Sequence, residues 1–325
     1  MRRVGLVGFG AIAETAHLPV LKRLSVELTS IAEPNPIRRE SARQSVPGVR
    51  LYEGTAELLS SERELDALII TTPPSFHAGS VLAGLRAGLH VLCEKPLTLD
   101  PQAFAEIRSE SESRDLAVYC VNNWAFSPQW ARLLETASSG SLGPIRHAEI
   151  RVLRTRPSVS ALPGDWRKDP EVSGGGILVD HGWHNLYLLR RLLGPGARLV
   201  SAALMPDGAV DEVATALLAA PGATGVMHLS WRASERSNTA FVAGEKGTAE
   251  LRDDVLVIRA NGTEETIRFS EKLSGGSSHP EWLTAMWPAF EAECAGVGRG
   301  ANVAEASFCL GAIRESYARR EPARA

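Results

Sequence analysis

A short glycine-rich turn near the start of the sequence has the spacing of a phosphate-binding turn. Gly8, Gly10 and Ala13 form the pattern G-x-G-x-x-A directly after the apolar run Val4 to Val7. In such a turn the first glycine permits the tight bend, the second lets the backbone approach a pyrophosphate, and the small third residue allows close helix packing. The N–H groups at the start of the following helix attract the anion. The predicted dinucleotide site comprises the whole turn: Gly8, Phe9, Gly10, Ala11, Ile12 and Ala13.

An acidic residue follows this turn at the distance expected of a ribose-binding group. Glu33 ends the second β-rich run, 23 residues after Gly10. A carboxylate accepts hydrogen bonds from two ribose hydroxyls but repels a 2′-phosphate, so Glu33 favours NAD over NADP. Arg38 and Arg39 lie close by in the sequence and weaken that preference.

A second pair of titratable residues has the chemistry of proton transfer. Asp180 and His184 are four residues apart in a segment predicted as a helix, so both side chains project from one helix face. A neutral imidazole near pH 7 suits the removal of a hydroxyl proton as hydride leaves the same carbon. We predict His184 as the proton acceptor. Asp180 either orients the imidazole, stabilises the imidazolium or holds a neighbouring substrate hydroxyl.

Three signatures, taken in chain order, resemble the glucose-fructose oxidoreductase/inositol dehydrogenase (Gfo/Idh/MocA) family. After the glycine turn, Glu94 to Pro96 matches the family's Glu-Lys-Pro signature, and Gly174 to His184 matches its GGGxxxDxGxH signature. Gly244 to Thr248 is similar to a sheet turn of the family, so the resemblance covers nearly the whole chain. It implies a Rossmann domain, a nicotinamide cofactor and a sugar-like substrate.

The resemblance implies that Lys95 lies at the nicotinamide and hydrogen-bonds the reacting oxygen. Its place after a strand agrees with this role, because ligands bind at the carboxyl edge of an open α/β sheet. Pro96 directs Lys95 away from helical geometry, and the resemblance suggests a cis peptide bond between them. The other cofactor residues implied by the resemblance are Thr72, Pro73, His77, Glu94 and Asn122. The implied substrate residues are Lys95, Trp124, Trp166, Arg167, Asp180 and His184, and Trp166 and Trp183 also suit packing.

These residues require a particular arrangement of strands in the first part of the chain. β-rich runs alternate with helical segments, which predicts a doubly wound, parallel α/β sheet in a dinucleotide-binding domain over residues 1–121. The predicted strands are Val4 to Val7, Glu27 to Ala32, Leu65 to Thr71, His90 to Cys93 and Leu116 to Val121. The predicted helices run from Ser75 to Ala87 and from Pro101 to Arg114, with Ser75 and Asp100 as N-caps.

The pattern changes beyond Asn122, where consecutive strands with short turns predict a largely antiparallel, open-faced sheet. We assign residues 122–325 to an α+β domain for substrate binding and oligomerisation. The predicted strands are Ile145 to Leu153, Arg198 to Leu204, Glu212 to Ala219, Gly225 to Trp231, Asn238 to Ala243 and Val255 to Arg259. The predicted helices are Pro128 to Ala137, Gly176 to Leu193, Glu281 to Ala295 and Asn302 to Arg319.

Composition argues against several other classes of protein. The 35 basic and 38 acidic residues are mixed along the chain with no basic stripe, so no nucleic-acid partner is expected. No apolar run is long enough to span a membrane, and the apolar start is interpreted as a strand and turn rather than a signal peptide. The four cysteines form no CxxC pair and fit a reducing cytoplasm. No metal is expected, because His181 should point about 100° away from the adjacent Asp180 around the helix and no further carboxylate or cysteine is spaced to complete a ligand shell.

The sequence therefore predicts an NAD-dependent oxidoreductase that transfers a hydride to or from a secondary alcohol of a sugar, cyclitol or nucleotide-sugar. Two alternatives stay open on the resemblance. One is a glycoside hydrolase that retains NAD and works by transient oxidation, and the other is a non-catalytic, dinucleotide-binding regulatory protein. An open-faced apolar sheet predicts a homodimer or homotetramer.

Overall fold

A computed structural model describes residues 2–157, 170–206, 210–276 and 278–319. The chain divides into two compact units. Within the described residues, the first unit comprises 2–123 and 278–307, and the second comprises 124–157, 170–206, 210–276 and 308–319. The assignment of residues 1–121 to a dinucleotide-binding domain and 122–325 to a substrate-binding and oligomerisation domain stays a prediction.

The first unit is built on a six-stranded, all-parallel sheet with the order β3-β2-β1-β4-β5-β6. Its strands are β1 Arg3–Val7, β2 Glu27–Ala32, β3 Arg50–Tyr52, β4 Ala67–Ile70, β5 His90–Cys93 and β6 Val118–Cys120. The strand order reverses between β1 and β4, which is where open α/β sheets bind ligands. The doubly wound sheet predicted from the sequence is confirmed.

Helices connect these strands. They are a π-helical segment Ala13–His17 continuing into α1 Leu18–Arg23, then α2 Pro36–Ser45, α3 Thr55–Ser61, α4 His77–Arg86 and α5 Pro101–Arg114. Asp100 caps α5 as predicted, since its carboxylate accepts the N–H of Gln102 at 2.8 Å. Ser75 is not a cap, because a 3-10 turn over Pro74–Phe76 precedes α4.

The second unit contains an eight-stranded sheet with the order β14-β13-β12-β11-β7-β10-β9-β8. Its strands are β7 Ile145–Leu153, β8 Arg198–Met205, β9 Val213–Ala220, β10 Ala223–Ser230, β11 Ser237–Gly244, β12 Gly247–Arg252, β13 Val255–Ala260 and β14 Thr263–Arg268. Only the pairing of β7 with β10 is parallel among these described strands, so the prediction of a largely antiparallel sheet is confirmed.

One face of this sheet is covered by helices. α6 Pro128–Ser138 packs on β12 and β13, and α8 Trp183–Leu193 packs on β7 and β10. A π-helical segment, Leu178–Gly182, leads directly into α8. α8 is buried along most of its length, and each buried leucine contributes about 1.5–3 kcal/mol to folding. The helix that bears His184 is therefore held rigidly.

The remaining helices are α7 Pro170–Ser173, α9 Pro280–Cys294 and α10 Ala301–Ala318. α9 belongs to the first unit and packs on α1, whereas α10 contributes residues to both units. Three strands escape prediction from the sequence. They are the short β3, the hairpin strand β12 and the exposed β14. Among the described helices, none is long and apolar enough to cross a membrane.

Candidate active site

The glycine turn follows β1 directly at the switch point of the parallel sheet. Gly8 has a φ of +86°, its N–H donates to the carbonyl of Ala32 at 2.8 Å, and its carbonyl accepts the Thr71 hydroxyl at 2.6 Å. A side chain on Gly8 would meet Thr72 at 3.0 Å as well as strain the backbone. Ala13 is fully buried under the sheet, Phe9 is buried and Ala11 is exposed. The turn thus leaves the helix start accessible.

Glu33 lies beside this turn and is only 4% exposed. Its carboxylate accepts the N–H of Phe9 at 2.7 Å and the N–H of Asn35 at 2.9 Å. Backbone pairing between β1 and β2 explains the approach, since Val7 is the register partner of Ala32. The structure therefore brings the predicted ribose-binding carboxylate to the glycine turn.

The two arginines that follow Glu33 have different surroundings. Arg39 donates from Nη1 to the carbonyls of Glu33 and Pro34, both at 2.7 Å, and so fixes the loop. Arg38 instead reaches the turn, because its Nη1 lies 3.3 Å from the place that a Cβ on Gly10 would take. Its Nε is buried and has no hydrogen-bond partner in the described part of the chain. Arg38 is the arginine placed to contact a bound dinucleotide.

These residues fit a dinucleotide on structural grounds. The space beside the Gly10 backbone is open except for the end of the Arg38 side chain. The hydroxyl of Thr72 is buried and has no hydrogen-bond partner among the described residues. Thr72 and Pro73 follow β4, next to β1 in the sheet. A ligand that offers a polar group at this edge would satisfy the buried hydroxyl.

The Glu-Lys-Pro signature follows β5 at the same edge of the sheet. Oε1 of Glu94 lies 2.8 Å from Nε2 of His17, and the peptide bond between Lys95 and Pro96 is cis. Burial alone would raise the pKa of Glu94, but the hydrogen bond and charge of His17 and the charge of Lys95 outweigh it and lower that pKa. Glu94 therefore stays ionised beside the half-buried Lys95.

His77 ties two parts of this edge together. Both ring nitrogens lie within hydrogen-bonding distance of backbone carbonyls, Nδ1 at 2.6 Å from Pro96 and Nε2 at 2.7 Å from Thr72. Burial lowers the pKa of His77 even though the two carbonyls oppose that shift. The contacts indicate that His77 positions the two segments rather than touching a ligand.

Asn122, another predicted cofactor residue, is buried just beyond β6. Its Nδ2 donates to Glu305 at 2.9 Å, and its Oδ1 accepts the Tyr119 hydroxyl at 3.2 Å. These contacts hold its amide in place within the first unit. A direct role in cofactor binding stays a prediction.

The predicted catalytic pair lies where the π-helical segment joins α8. Asp180 belongs to the π-helical turn and His184 to the first turn of α8. Oδ2 of Asp180 lies 3.7 Å from Nε2 of His181, although we expected His181 to point elsewhere. The π-helical turn differs from the α-helix that we assumed, which accounts for the short distance between the Asp180 and His181 side chains. Such turns occur often at functional sites. Asp180 is a quarter exposed, whereas His184 is 6% exposed.

Aromatic rings hold His184 on two sides. The Trp124 ring is stacked on its imidazole with centroids 5.3 Å apart and planes 15° from parallel. Tyr187 meets the imidazole edge-on at 5.9 Å, and its hydroxyl accepts the N–H of Ala125 at 3.3 Å. Trp124, predicted as a substrate residue, therefore contacts the predicted base directly.

Sequence reasoning missed the residue that anchors the start of this helix. Asp211 is fully buried, and its carboxylate accepts the N–H groups of Gly176 at 3.0 Å and Leu178 at 2.9 Å. Tyr317 donates its hydroxyl to the same carboxylate. A Cβ on Gly176 would lie 1.9 Å from the Asp211 carbonyl oxygen, which explains the last glycine of the GGG signature. A lone aspartate between two strands gave no sequence signal for this role.

The other predicted residues divide into two groups. Trp183 is 1% exposed inside the second unit, which makes it a packing residue. Trp166 and Arg167 lie outside the described residues.

Comparison with known proteins supports the same interpretation. Residues 2–121 match the model of an oxidoreductase family with an NAD-binding Rossmann fold, and residues 130–250 match the GFO/IDH/MocA C-terminal domain. A 3-reductase of dTDP-3,4-didehydro-2,6-dideoxy-alpha-D-glucose from Streptomyces violaceoruber is 30% identical over 282 residues. That alignment covers 82% of this chain and 80% of the relative.

Two further similarities differ in extent. An uncharacterized oxidoreductase of Schizosaccharomyces pombe is 30% identical over 185 residues, so this chain spans about half (49%) of its length. The structure of levoglucosan dehydrogenase in complex with NADH and levoglucosan has the same fold, with a TM-score of 0.81 over 98% of both chains at 21% identity. The glycine turn, the two signatures and both family models agree, and the chain belongs to the Gfo/Idh/MocA family of NAD-binding oxidoreductases.

Proposed function

We propose that this protein transfers a hydride between NAD and a secondary alcohol or ketone of a sugar, cyclitol or nucleotide-sugar. The observation that supports it most is that one chain combines the Glu33 and glycine-turn site with a rigid helix bearing Asp180 and His184. When bound, the nicotinamide supplies the redox chemistry. Relatives that reduce a dTDP-sugar or bind levoglucosan support a carbohydrate-like substrate.

The residues of this chain have distinct roles in the proposed reaction. Lys95 polarises the reacting oxygen of the substrate, and the ionised Glu94 precedes it directly in the chain. His184 accepts the hydroxyl proton while Trp124 and Tyr187 fix its ring. Asp180, being a quarter exposed, binds a substrate hydroxyl or compensates the imidazolium. Glu33, Thr72 and the glycine turn hold the dinucleotide.

The first test is growth of absorbance at 340 nm with NAD⁺, and in parallel with NADP⁺, across cyclitols, free sugars and nucleotide-sugars. Loss of a general base lowers the rate by ~10²–10⁴, so His184→Asn should lower kcat by about that factor without weakening NADH binding. Lys95→Ala should abolish turnover, whereas Lys246→Ala, an exposed hairpin lysine, should leave it unchanged. Unchanged turnover in both site variants would refute the assignment.

The same experiment distinguishes the retained-cofactor hydrolase. Such an enzyme releases an aglycone from a glycoside without net NADH and yields bound NAD on denaturation. No specific contact in the structure favours it.

We also propose that the protein is a homodimer or homotetramer that assembles through the sheet face opposite the helices. Leu217, Val226 and Phe241 lie in one row across β9, β10 and β11 with Glu149 between the last two. Leu217 is 38% exposed, and the other two are half-buried. Light scattering after gel filtration should show a smaller species for Phe241→Glu but not for Ser113→Glu, an exposed position on α5 of the first unit.

Cellular location follows as part of the proposal. Cys93 and Cys120 are buried register partners on β5 and β6 that form no disulfide, a placement that suits a reducing compartment. We therefore place the protein in the cytoplasm.

A further inference from the structure

Arg154 is a buried guanidinium just beyond the end of β7. It is only 6% exposed. Ile150 and Val152 alternate on the buried face of this strand, where α8 packs, and Arg154 continues the same alternation. Its side chain therefore belongs to the sheet face that the helix with Asp180 and His184 covers.

The hydrogen bonds of Arg154 use only part of its guanidinium. Nη1 donates to the carbonyl of Leu153 at 2.7 Å and to Oδ1 of Asn238 at 2.9 Å, with the carbonyl of Ser237 at 3.5 Å. All three acceptors are neutral. Among the described residues, neither Nε nor Nη2 of Arg154 has a hydrogen-bond acceptor, and no carboxylate oxygen lies within 4.0 Å of the guanidinium nitrogens. Buried arginines are ordinarily paired, so this charge lacks its usual partner.

Charged groups of both signs act on Arg154. Burial, assisted by the charge of Arg236, lowers the pKa of Arg154 to about 10, even though the charges of Asp253 and Asp180 oppose that shift. At neutral pH the guanidinium is therefore still charged.

We propose that Arg154 binds an anionic group of the substrate, so that the protein acts on an acidic sugar derivative in preference to a neutral one. The inference rests on the proposed function and names its substrate class. A desolvated guanidinium with no carboxylate at ion-pair distance gains most from a carboxylate or phosphoryl group, which accepts two parallel hydrogen bonds from its planar fork. A neutral hydroxyl accepts one weaker bond, for which an amide side chain would be sufficient.

Binding titrations test this without relying on turnover. Calorimetry at constant ionic strength would compare glucuronate with glucose, and UDP as a separate phosphoryl probe, on wild type, Arg154→Gln and Arg154→Lys. Arg259→Gln is the control, because it removes the same charge from an exposed ion pair with Glu264 on the same sheet. Circular dichroism would confirm that each variant is folded.

We expect at least one acidic probe to bind wild type about tenfold more tightly than glucose. Arg154→Gln should weaken that probe by about 10- to 100-fold, the range for a hydrogen bond to a charged group, and weaken glucose by less than about threefold. Arg154→Lys should retain part of the preference, and Arg259→Gln should retain all of it. Preference for glucuronate alone identifies a carboxylate, and preference for UDP alone identifies a phosphoryl group.

Equal binding of acidic and neutral probes by wild type would overturn the inference, as would an equal loss of both in Arg154→Gln. Failure of both acidic probes to bind would overturn it too. Equal NADH formation from neutral and acidic sugars in wild type, unchanged by Arg154→Gln, would refute this inference alone and leave the proposed function standing. Arg154-dependent binding without NADH formation from any substrate would instead refute the proposed function.

Discussion

Tyr317 donates its hydroxyl to Oδ1 of Asp211 across 2.5 Å. The two residues are 106 positions apart, and the same oxygen accepts the N–H of Gly176. The Asp211 carbonyl also accepts the N–H of Ile177 at 2.8 Å. One buried aspartate thereby holds the start of the helix that presents Asp180 and His184, and α10 holds the aspartate.

Removal of the Tyr317 hydroxyl should loosen this anchor. Tyr317→Phe should lower the free energy of unfolding by about 1–3 kcal/mol, the range for a hydrogen bond to a charged group, and lower kcat as the helix shifts. Urea titration and steady-state kinetics measure both effects. Tyr52→Phe is the matched control, since its hydroxyl donates to Glu62 at 2.7 Å in the first unit. Tyr52→Phe should lower the free energy of unfolding without changing kcat. If Tyr317→Phe had the same kcat as wild type, the hydrogen bond to Asp211 would not position the catalytic helix.

Trp124 should affect the proton-transfer step rather than substrate affinity. Stacked aromatic pairs contribute about 0.5–1.5 kcal/mol, so Trp124→Leu should lower kcat by up to about tenfold with a smaller change in KM. Trp124→Phe should restore most of the rate. Trp130→Phe, a buried tryptophan on α6, serves as the control. A change in KM alone would mean that Trp124 binds substrate instead.

Cofactor preference should depend on Glu33 and Arg38 in opposite directions. Glu33→Ala should weaken NADH binding by about tenfold, the value of one charge-assisted hydrogen bond. It should therefore also reduce the difference between the dissociation constants for NADH and NADPH. Arg38→Ala should weaken NADPH more than NADH, because the guanidinium that lies over Gly10 attracts a 2′-phosphate. Fluorescence titration measures each dissociation constant. Arg43→Ala, on the exposed side of α2, should change neither dissociation constant. If Arg38→Ala weakened NADH and NADPH binding by the same factor, Arg38 would not discriminate between the two cofactors.

Stability should rise with pH through the range in which His77 titrates. Burial lowers the pKa of His77 in the folded state below its ordinary value of 6.5, so the unfolded chain binds the proton more readily. This contribution is present above pH 6.5 and is lost as pH falls toward the folded pKa. Urea unfolding between about pH 5 and 7.5 should show the slope, and His77→Gln should reduce it. His147→Gln, on the other unit, should keep the slope; the same slope in all three proteins would exclude His77 as its source.

Local patterns in the sequence were enough to predict the sheet of the first unit. Its buried strands, such as β4 and β5, are short apolar runs bounded by turn residues, and the glycine turn follows β1 as expected. The strand β3 escaped prediction because its three residues are half-buried or exposed. β14 escaped because five of its six residues are exposed and the apolar alternation is absent.

The candidate site was predictable only where its residues are neighbours in sequence. Asp180 and His184 lie in adjoining helical segments, so their spacing was enough to predict that both project from one face. Asp211 acts on Leu178 from 33 positions away, and Arg154 contacts Asn238 from 84 positions away. Only strand register brings such groups together, and no local pattern encodes it. The π-helical turn under Asp180 likewise depends on packing rather than on propensity.

The side-chain amide of Asn302 hydrogen-bonds the backbone of the edge strand β6 of the parallel sheet. Asn302 accepts the N–H of Cys120 at 2.7 Å and donates to the Cys120 carbonyl at 3.0 Å, so it takes the place that the next strand's backbone would occupy. Its own N–H is bound by the buried Glu293 at 2.9 Å, which fixes that position. Edge strands with free backbone groups recruit strands of other molecules. At β6 the Asn302 amide already binds the N–H and carbonyl of Cys120, and this removes one point at which a foreign strand would pair edge to edge.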